Sequence, residues 1–149
     1  KVKTDVYTVL GGQLAELMGD VTTNVKRIVE TEATRARNAG TLDVITKIAA
    51  VSQVEDPQVY FAGPNDSYTC EECKRLFFMP DGVTPRVWRL SQVQHGYHRR
   101  GNEEPAIGGC HPNCRHTMVY LAKNYGFENG RVTFVGPGHD EHSHQQKEE

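Results

Sequence analysis

Apolar residues recur at three- and four-residue spacing through the first third of the chain, which is typical of amphipathic helices. The clearest run predicts a helix over residues 21–39, and Gly40 can take the left-handed conformation that ends a helix. An earlier stripe is predicted to be interrupted at Gly11 and Gly12, because each glycine costs roughly 1 kcal/mol in a helix interior. That stripe consists of Val6, Val9, Leu10, Leu14, Leu17 and Met18. A third, shorter helix follows and must end before Pro57.

Beyond residue 57 the pattern changes to short runs of β-branched and aromatic residues, which predict strands. The predicted strands are 59–62, 87–90, 116–122 and 131–135. The tail, residues 137–149, has almost no apolar residue, so we expect it to be mobile. The fold class predicted from the pattern is α+β: N-terminal helices within residues 1–56 pack on a small β-rich lobe formed by residues 57–136.

Composition and charge exclude only a few classes of protein. A chain of 149 residues fits one compact unit, and a net charge of −2 is not that of a polybasic nucleic-acid arm or an acidic tail. No apolar run approaches the roughly 18 residues of a membrane span, so we expect no membrane partner. Because the chain begins with Lys1 rather than Met, we expect it to be a piece or a processed product of a longer protein.

Positive charge concentrates in an insert, residues 77–106, and just before it. Between residues 74 and 100 there are six Lys or Arg residues and a single acid, Asp81, so this segment has a formal charge of +5. Such a segment favours contact with DNA phosphates or with an acidic protein surface. The candidate contact residues are Lys74, Arg75, Arg86, Arg89, Arg99 and Arg100. A solvated basic loop without a partner is the alternative.

All four cysteines lie after residue 69, in two short segments. Cys70 and Cys73 are separated by two residues, a spacing that lets both sulfurs face one tetrahedral zinc ion. Cys110 and Cys114 lie in the segment GGCHPNCRH with two histidines, and together the segments have the layout of a structural zinc site. Disulfides, free buried thiols and a redox pair are the alternatives, and the sequence favours each of them less.

The ligands from the second segment are less well defined by spacing than those from the first. Cys110 and His111 are adjacent, so both cannot easily reach the same ion, and His116 is a further candidate. The two-residue gap between His111 and Cys114 equals the gap in the first pair, which favours His111. The sequence therefore predicts a structural zinc ion bound by four ligands, with Cys110 and His116 as alternates: Cys70, Cys73, His111 and Cys114.

The order of these motifs resembles that of the phage Mu protein F-like head morphogenesis family over roughly residues 25–122. In that family a helical signature precedes a Cys-x-x-Cys pair and a His-Pro-x-Cys-Arg-Cys motif. The matching residues here are Arg27, Glu30, Thr31, Glu32 and Asn38, then Cys70 and Cys73, then His111, Pro112, Cys114 and Arg115. His116 stands where the family has its last cysteine, and the basic insert is longer than the family pattern.

The resemblance implies a minor head protein, without catalytic activity, of a tailed bacteriophage or prophage. Its implied partners are the portal and other head proteins, with double-stranded DNA as a further one, and no small-molecule substrate. The implied role is in head assembly and in DNA packaging or ejection, and the implied location is the virion head after assembly in the host cytoplasm.

Two other functions remain as alternatives to a head protein. One is a zinc-stapled nucleic-acid-binding module, and the other is a nuclease of the His-Asn-His type that uses His95 or His98. The motifs of a zinc deaminase and of an HExxH protease are incomplete, so these two enzyme classes are disfavoured.

Overall fold

A single long helix, α1, forms the first third of the protein. The computed structural model describes the backbone of residues 2–148 and the side chains of residues 9–148, so Val6 of the predicted stripe lies outside the described side chains. Helix α1 runs without interruption over Val2–Ser52. It ends where Gln53 adopts a left-handed conformation (φ 55°) and the Val54 amide donates to the Ala49 carbonyl, a common helix C-terminal motif.

The predicted division of this region into three helices is therefore wrong. Gly40 does not end the second helix, because continuing through it places Asn38, Ile45 and Ala49 on one face, where all three are buried against the lobe. Gly11 and Gly12 are also helical, so a cost of about 1 kcal/mol for each glycine does not stop a helix that continues on both sides. Packing of the second half of α1 on the lobe therefore outweighs the tendency of Gly40 to end a helix.

The rest of the described chain forms the β-rich lobe, so the α+β class is confirmed. Its central sheet is antiparallel with the order β2-β1-β3, and β4 pairs with β5 in a separate antiparallel hairpin. In chain order the elements are β1 (Gln58–Ala62), α2 (Glu71–Phe77), β2 (Val87–Arg89), a 3-10 turn (Leu90–Gln92), β3 (Thr117–Leu121), β4 (Tyr125–Glu128), β5 (Arg131–Phe134) and α3 (Glu141–Glu148). The four predicted strands are β1, β2, β3 and β5.

The core lies between the central sheet, α2 and the second half of α1. The Phe61 ring of β1 stacks on the Phe77 ring of α2 at a centroid distance of 4.7 Å. Each large apolar side chain buried in this way contributes about 1.5–3 kcal/mol to folding. The main core residues are Ile45, Val59, Phe61, Cys73, Leu76, Phe77, Cys114 and Met118. Two of the cysteines are thus part of the core itself.

Asn38 joins α1 to the lobe. Its side chain has no solvent exposure, and it bonds to two parts of the backbone that are far from it in sequence. Asn38 Nδ2 donates to the Ile107 carbonyl at 2.9 Å, and Asn38 Oδ1 accepts from the Met118 amide at 2.9 Å. This position favours Asn, because no other side chain of this size can donate one hydrogen bond and accept another with the same geometry.

The tail forms helix α3, which the apolar pattern does not predict, while its mobility stays a prediction. Gln145 of α3 is buried; its Oε1 accepts from the Val87 amide at 2.8 Å and its Nε2 donates to the Pro85 carbonyl at 3.0 Å. The Gln145 amide thus pairs with backbone groups at the outer edge of β2, as a neighbouring strand would. The His142 amide adds a bond to Gln58 Oε1 at 2.8 Å. Polar contacts rather than apolar ones hold the tail.

We predict that Asn38→Ala lowers the free energy of unfolding by roughly 2–4 kcal/mol, because it leaves a buried carbonyl and a buried amide without partners. Urea denaturation followed by fluorescence of Trp88 measures the change. Asn38→Asp is the comparison variant: it retains the acceptor for the Met118 amide but places a carboxylate beside the Ile107 carbonyl in a site without solvent, so it should also be destabilised by roughly 2–4 kcal/mol. A loss below about 0.5 kcal/mol in both variants would contradict this role.

We also predict that Gln145→Ala destabilises the protein by about 1–3 kcal/mol, since two buried backbone groups lose their partner. Gln146→Ala removes the adjacent, exposed amide and should have almost no effect. Hydrogen exchange at the Val87 amide is the sharper measurement, because this amide should exchange faster only in Gln145→Ala. Equal exchange in the two variants would show that α3 does not protect β2.

Candidate metal centre

The first pair of cysteines is placed by the start of α2. Cys70 has an extended backbone (φ −71°, ψ 160°) and caps the helix, with its Sγ accepting from the Cys73 amide at 3.4 Å. Cys73 lies in the first turn and is 1% exposed, whereas Cys70 is exposed to solvent. The cap thus holds both sulfurs at one end of α2, and the buried sulfur faces the core.

The second segment folds back on itself so that its donors face α2. Gly109 and Asn113 adopt left-handed conformations (φ 78° and 60°), and the Cys114 amide donates to the His111 carbonyl at 3.2 Å. A Cβ atom on Gly109 would lie 2.8 Å from Cys114 Cβ, so this position has no room for a side chain. The glycine pair before Cys110 is therefore part of the turn that forms the site.

The two segments bring their donors together around Cys73. Cys73 Sγ lies 3.3 Å from His111 Nε2 and 3.9 Å from Cys114 Sγ, and Cys114 Sγ lies 3.7 Å from His116 Nδ1. Two overlapping groups result, one of Cys70, Cys73 and His111 and the other of Cys73, Cys114 and His116. All four cysteines are free thiols. This cluster can hold a metal ion, and Cys73 belongs to both groups.

Both histidines are oriented by backbone carbonyls on their far sides. His111 Nδ1 lies 2.7 Å from the Pro112 carbonyl, and His116 Nε2 lies 3.0 Å from the Pro64 carbonyl. A carbonyl only accepts, so these two nitrogens carry the protons and the opposite nitrogens face the sulfurs as free lone pairs. Metal-binding histidines are commonly fixed in this way.

His116 is enclosed as tightly as a core residue. It is 2% exposed, and its ring lies 4.8 Å from that of Phe77 and 5.7 Å from that of Phe78. A Cβ atom on Gly63 would lie 2.5 Å from His116 Cδ2, so Gly63 makes the space for this ring. The sequence presents His116 only as an alternate ligand, whereas the structure gives it a fixed place beside Cys114.

The buried thiols interact strongly with one another. The neighbouring Cys110 and Cys114 thiols, together with burial, raise the pKa of Cys73 far above its ordinary value. Interaction with Cys114 and burial also raise the pKa of Cys110, whereas hydrogen bonds from Cys110 and Cys73 lower the pKa of Cys114. The thiols of Cys73, Cys110 and Cys114 thus form one interacting group. A divalent cation that binds here replaces those protons, so metal binding releases them.

Arg115 and Glu72 hold the surroundings of the cluster in place. Arg115 forms two hydrogen bonds with the Asp66 carboxylate, at 2.8 and 2.7 Å, which hold the pKa of Asp66 well below its usual range. Hydrogen bonds from His98 and then Arg75 lower the pKa of Glu72 to about 2. The Arg115–Asp66 pair ties the turn before Cys70 to the second segment, and the His98–Glu72 pair ties the basic insert to α2.

Three of the five helical residues of the family resemblance contact the lobe: Thr31 the second segment itself, Glu32 the basic insert, and Asn38 the residues that flank the segment. Thr31 Oγ1 accepts from the Asn113 amide at 3.2 Å, and the Tyr97 hydroxyl donates to the Glu32 carboxylate. Asn38 bonds to Ile107 and Met118, which lie on either side of the segment. The sequence presents Thr31, Glu32 and Asn38 only as motif matches, since periodicity cannot say which polar residues of a helix face a partner.

Three of the six predicted basic contact residues form ion pairs within the chain. Lys74 pairs with Glu71 at 2.8 Å, Arg75 with Glu72 at 2.9 Å, and Arg89 with Asp140 at 2.6 Å. The partner acids all lie outside residues 74–100, so the count along the chain overstates the local charge. Arg86 is half-buried just before β2, while Arg99 and Arg100 are exposed. The role of these six residues in binding a partner stays a prediction.

Comparison with models of protein families, with curated proteins and with solved structures gives no match. Within residues 2–148, no helix combines the length and the apolar character that a membrane span requires.

We predict that Cys73→Ser abolishes metal binding, because Cys73 is the one residue shared by the two donor groups. Titration with Co²⁺ measures it: the unmodified protein should bind one ion per chain and show sulfur-to-cobalt charge-transfer absorption, which Cys73→Ser should lose. Gln146→Ala, on the exposed side of α3, is the control and should bind Co²⁺ normally. Cys110→Ser tests the alternate ligand, because the Cys110 thiol interacts with both Cys73 and Cys114, and unchanged absorption in this variant would exclude Cys110. Retained charge-transfer absorption in Cys73→Ser would contradict the shared role, and its loss in Cys110→Ser would make Cys110 a ligand.

Proposed function

We propose that this chain is a structural protein whose β-rich lobe is held together by a zinc ion. The observation that carries this proposal is the geometry of the donor cluster. Tetrahedral zinc, with bonds of about 2.3 Å to sulfur and about 2.05 Å to nitrogen, requires sulfur–sulfur separations of about 3.8 Å and sulfur–nitrogen separations of about 3.6 Å. The corresponding distances here are 3.9 Å for the sulfurs, and 3.3 and 3.7 Å for sulfur and nitrogen.

The donor types support zinc over other common divalent ions. Thiolate and imidazole groups suit zinc, whereas calcium and magnesium prefer oxygen ligands. The proposed ligands are Cys70, Cys73, His111 and Cys114, with His116 packed against Cys114 as the alternate fourth ligand. A site built from these residues links the start of α2 to the segment that leads into β3, so the zinc connects parts of the chain that are remote in sequence.

Burial of the donors supports a structural role rather than a catalytic one. Catalytic zinc ions keep one position open towards a substrate, while structural zinc ions have four protein ligands. Cys73, Cys114 and His116 are 1%, 5% and 2% exposed, and they lie among core residues such as Phe77. An ion bound to Cys73 and Cys114 faces the core on that side, while the proposed ligands Cys70 and His111 are exposed and half-buried on the other. With four protein ligands, no position is left open for a substrate, which favours a structural ion.

The assembly that we propose for this protein is the head of a tailed phage, near the portal, where it acts in head assembly and in DNA packaging or ejection. The proposal rests on the family resemblance. The fold supports this proposal because the helical signature and the Cys/His segment (residues 108–116) are in contact. Thr31 and Asn38 of the signature bond to backbone groups in and beside that segment. Motifs far apart in sequence thus serve one site.

Contact with nucleic acid is the second candidate, and the exposed Arg99 and Arg100 favour it. The nuclease alternative receives less support, because both nitrogens of His98 are already engaged, Nδ1 with the Glu104 carbonyl at 3.1 Å and Nε2 with Glu72 at 2.8 Å. A general base needs a free nitrogen within reach of the substrate.

We predict that the protein is incorporated into phage heads produced from the genome that encodes it, and that Cys73→Ser reduces incorporation at least tenfold because the lobe no longer folds stably. Quantitative mass spectrometry of purified heads measures the copy number. Gln146→Ala, on the exposed side of α3, is the control and should be incorporated normally. Heads that lack the protein, or metal-dependent nicking of plasmid DNA by the purified protein, would overturn the proposed function.

A further inference from the structure

The first half of α1 carries an apolar stripe that no other described residue covers. All residues from 9 to 30 are exposed. Within residues 10–25, six large apolar side chains fall within an arc of about 100° around the helix axis. Their exposed fractions lie between 51% and 60%, and they are Leu10, Leu14, Leu17, Met18, Val21 and Val25. A stripe of this width is typical of a helix that packs on a partner.

This part of α1 lacks the means to remain helical by itself. Helices without tertiary contacts are marginal in water even when they are rich in alanine, and Gly11, Gly12 and Gly19 weaken this one further. A Cβ atom on any of these glycines would meet nothing within 4 Å, so they are not explained by close packing within the chain. The helix therefore needs a partner along its apolar stripe.

The charge of this segment favours a protein partner over nucleic acid or a membrane surface. Residues 9–25 contain no Lys or Arg, and their charged residues are Glu16 and Asp20. Contact with nucleic acid or with an anionic membrane surface relies on basic residues, in the second case beside the apolar ones. The stripe therefore fits the apolar face of another protein helix.

The lobe closes the stripe at its C-terminal end, and this decides the direction of a second α1 helix packed on it. Glu32 follows Leu14 by about five helical turns, so it lies on the same line along α1. The Tyr97 hydroxyl donates to Glu32, and the Arg35 guanidinium carbon lies 5.2 Å from the centre of the Tyr97 ring. In a parallel pair, Tyr97 of both chains would lie at the same level in the seam. In an antiparallel pair, the two Tyr97 side chains lie beyond opposite ends of the contact.

We propose that a second copy of this chain covers the stripe, and that the two α1 helices pack antiparallel with their centre between Leu14 and Leu17. Leu14 of each chain then faces Leu17 of the other chain, and Leu10 faces Val21. The stripe is thus complementary to itself, since its leucines meet at the centre of the pair.

The lobes leave room for this arrangement. Val2, the first residue of α1, comes level with Val29 of the other chain, so the two described helices lie side by side without reaching Tyr97. Each lobe packs on the second half of its own α1, and the two lobes therefore lie at opposite ends of the dimer.

The stripe offers enough area for a specific dimer. Six side chains of about 100 Å² each give roughly 600 Å² per chain, or about 1,200 Å² in total, which is the lower limit for specific interfaces. Gln13 of one chain lies across from Asp20 of the other, where the side-chain amide can donate to the carboxylate, and the twofold axis repeats this contact. We therefore expect a dimer that dissociates on dilution.

Sedimentation equilibrium of the full chain tests the proposal, and because the stripe lies outside the lobe the result does not depend on the proposed zinc site. We expect a dimer that Leu14→Glu weakens at least tenfold. Thr23→Glu is the matched control: it adds the same charge on the opposite, exposed side of the helix and should leave the dimer unchanged. Trp88 fluorescence shows that the lobe of each variant is folded. A monomer at all concentrations, a trimer or larger species, or equal effects of the two variants would overturn the proposal.

The antiparallel direction has its own test at Leu10 and Val21. Leu10→Lys and Val21→Glu should each weaken the dimer, because a charge then lies in an apolar seam. A chain that carries both changes should dimerise more tightly than either single variant, since Lys at position 10 meets Glu at position 21 of the other chain. In a parallel pair the double variant would bring like charges together, so a double variant weaker than both single variants would overturn the antiparallel arrangement.

Discussion

The relative positions of α1, the Cys/His segment and β3 depend on the buried side-chain amide of Asn38. It reaches from α1 to Ile107 and to Met118, the residues that flank the segment with two of the four cysteines. A helix, the base of the Cys/His segment and a strand of the central sheet are thereby held at one point without solvent. Because an unpaired polar group at such a point costs far more than an exposed one, the three elements are fixed relative to one another.

The sequence contains much of the metal site, because ligand spacing is a local property. The gap between Cys70 and Cys73 and the gap between His111 and Cys114 can be read without knowing the fold. The structure places these residues in two overlapping groups that share Cys73, with Cys114 in the group that contains His116. Which histidine nitrogen faces the sulfurs depends instead on the Pro64 and Pro112 carbonyls. Pro64 is remote from His116 in sequence, so spacing alone cannot rank His116 against His111.

The difference between local signals and contacts remote in sequence also explains which elements the hydrophobic pattern predicts. Strands β1, β2, β3 and β5 carry β-branched or aromatic side chains and are recognised from local composition. Helix α3 has no such pattern, because Gln145 holds it with an amide rather than with an apolar side chain. Helix α1 is predicted in pieces because a glycine signals an end locally, while Ile45 and Ala49, packed on the lobe, decide that it continues.

The long sequence separation of the contacts at the Cys/His cluster has a consequence for synthesis of the chain. Cys70 and Cys73 leave the ribosome well before Cys114, and β1 cannot pair with β3 until residue 121 has been made. The first thiols are therefore exposed to solvent and to oxidants for much of translation. A metal ion held by this cluster would find its full set of donors only after Cys114 and His116 have been made, so closure of the lobe comes late in the synthesis of this region.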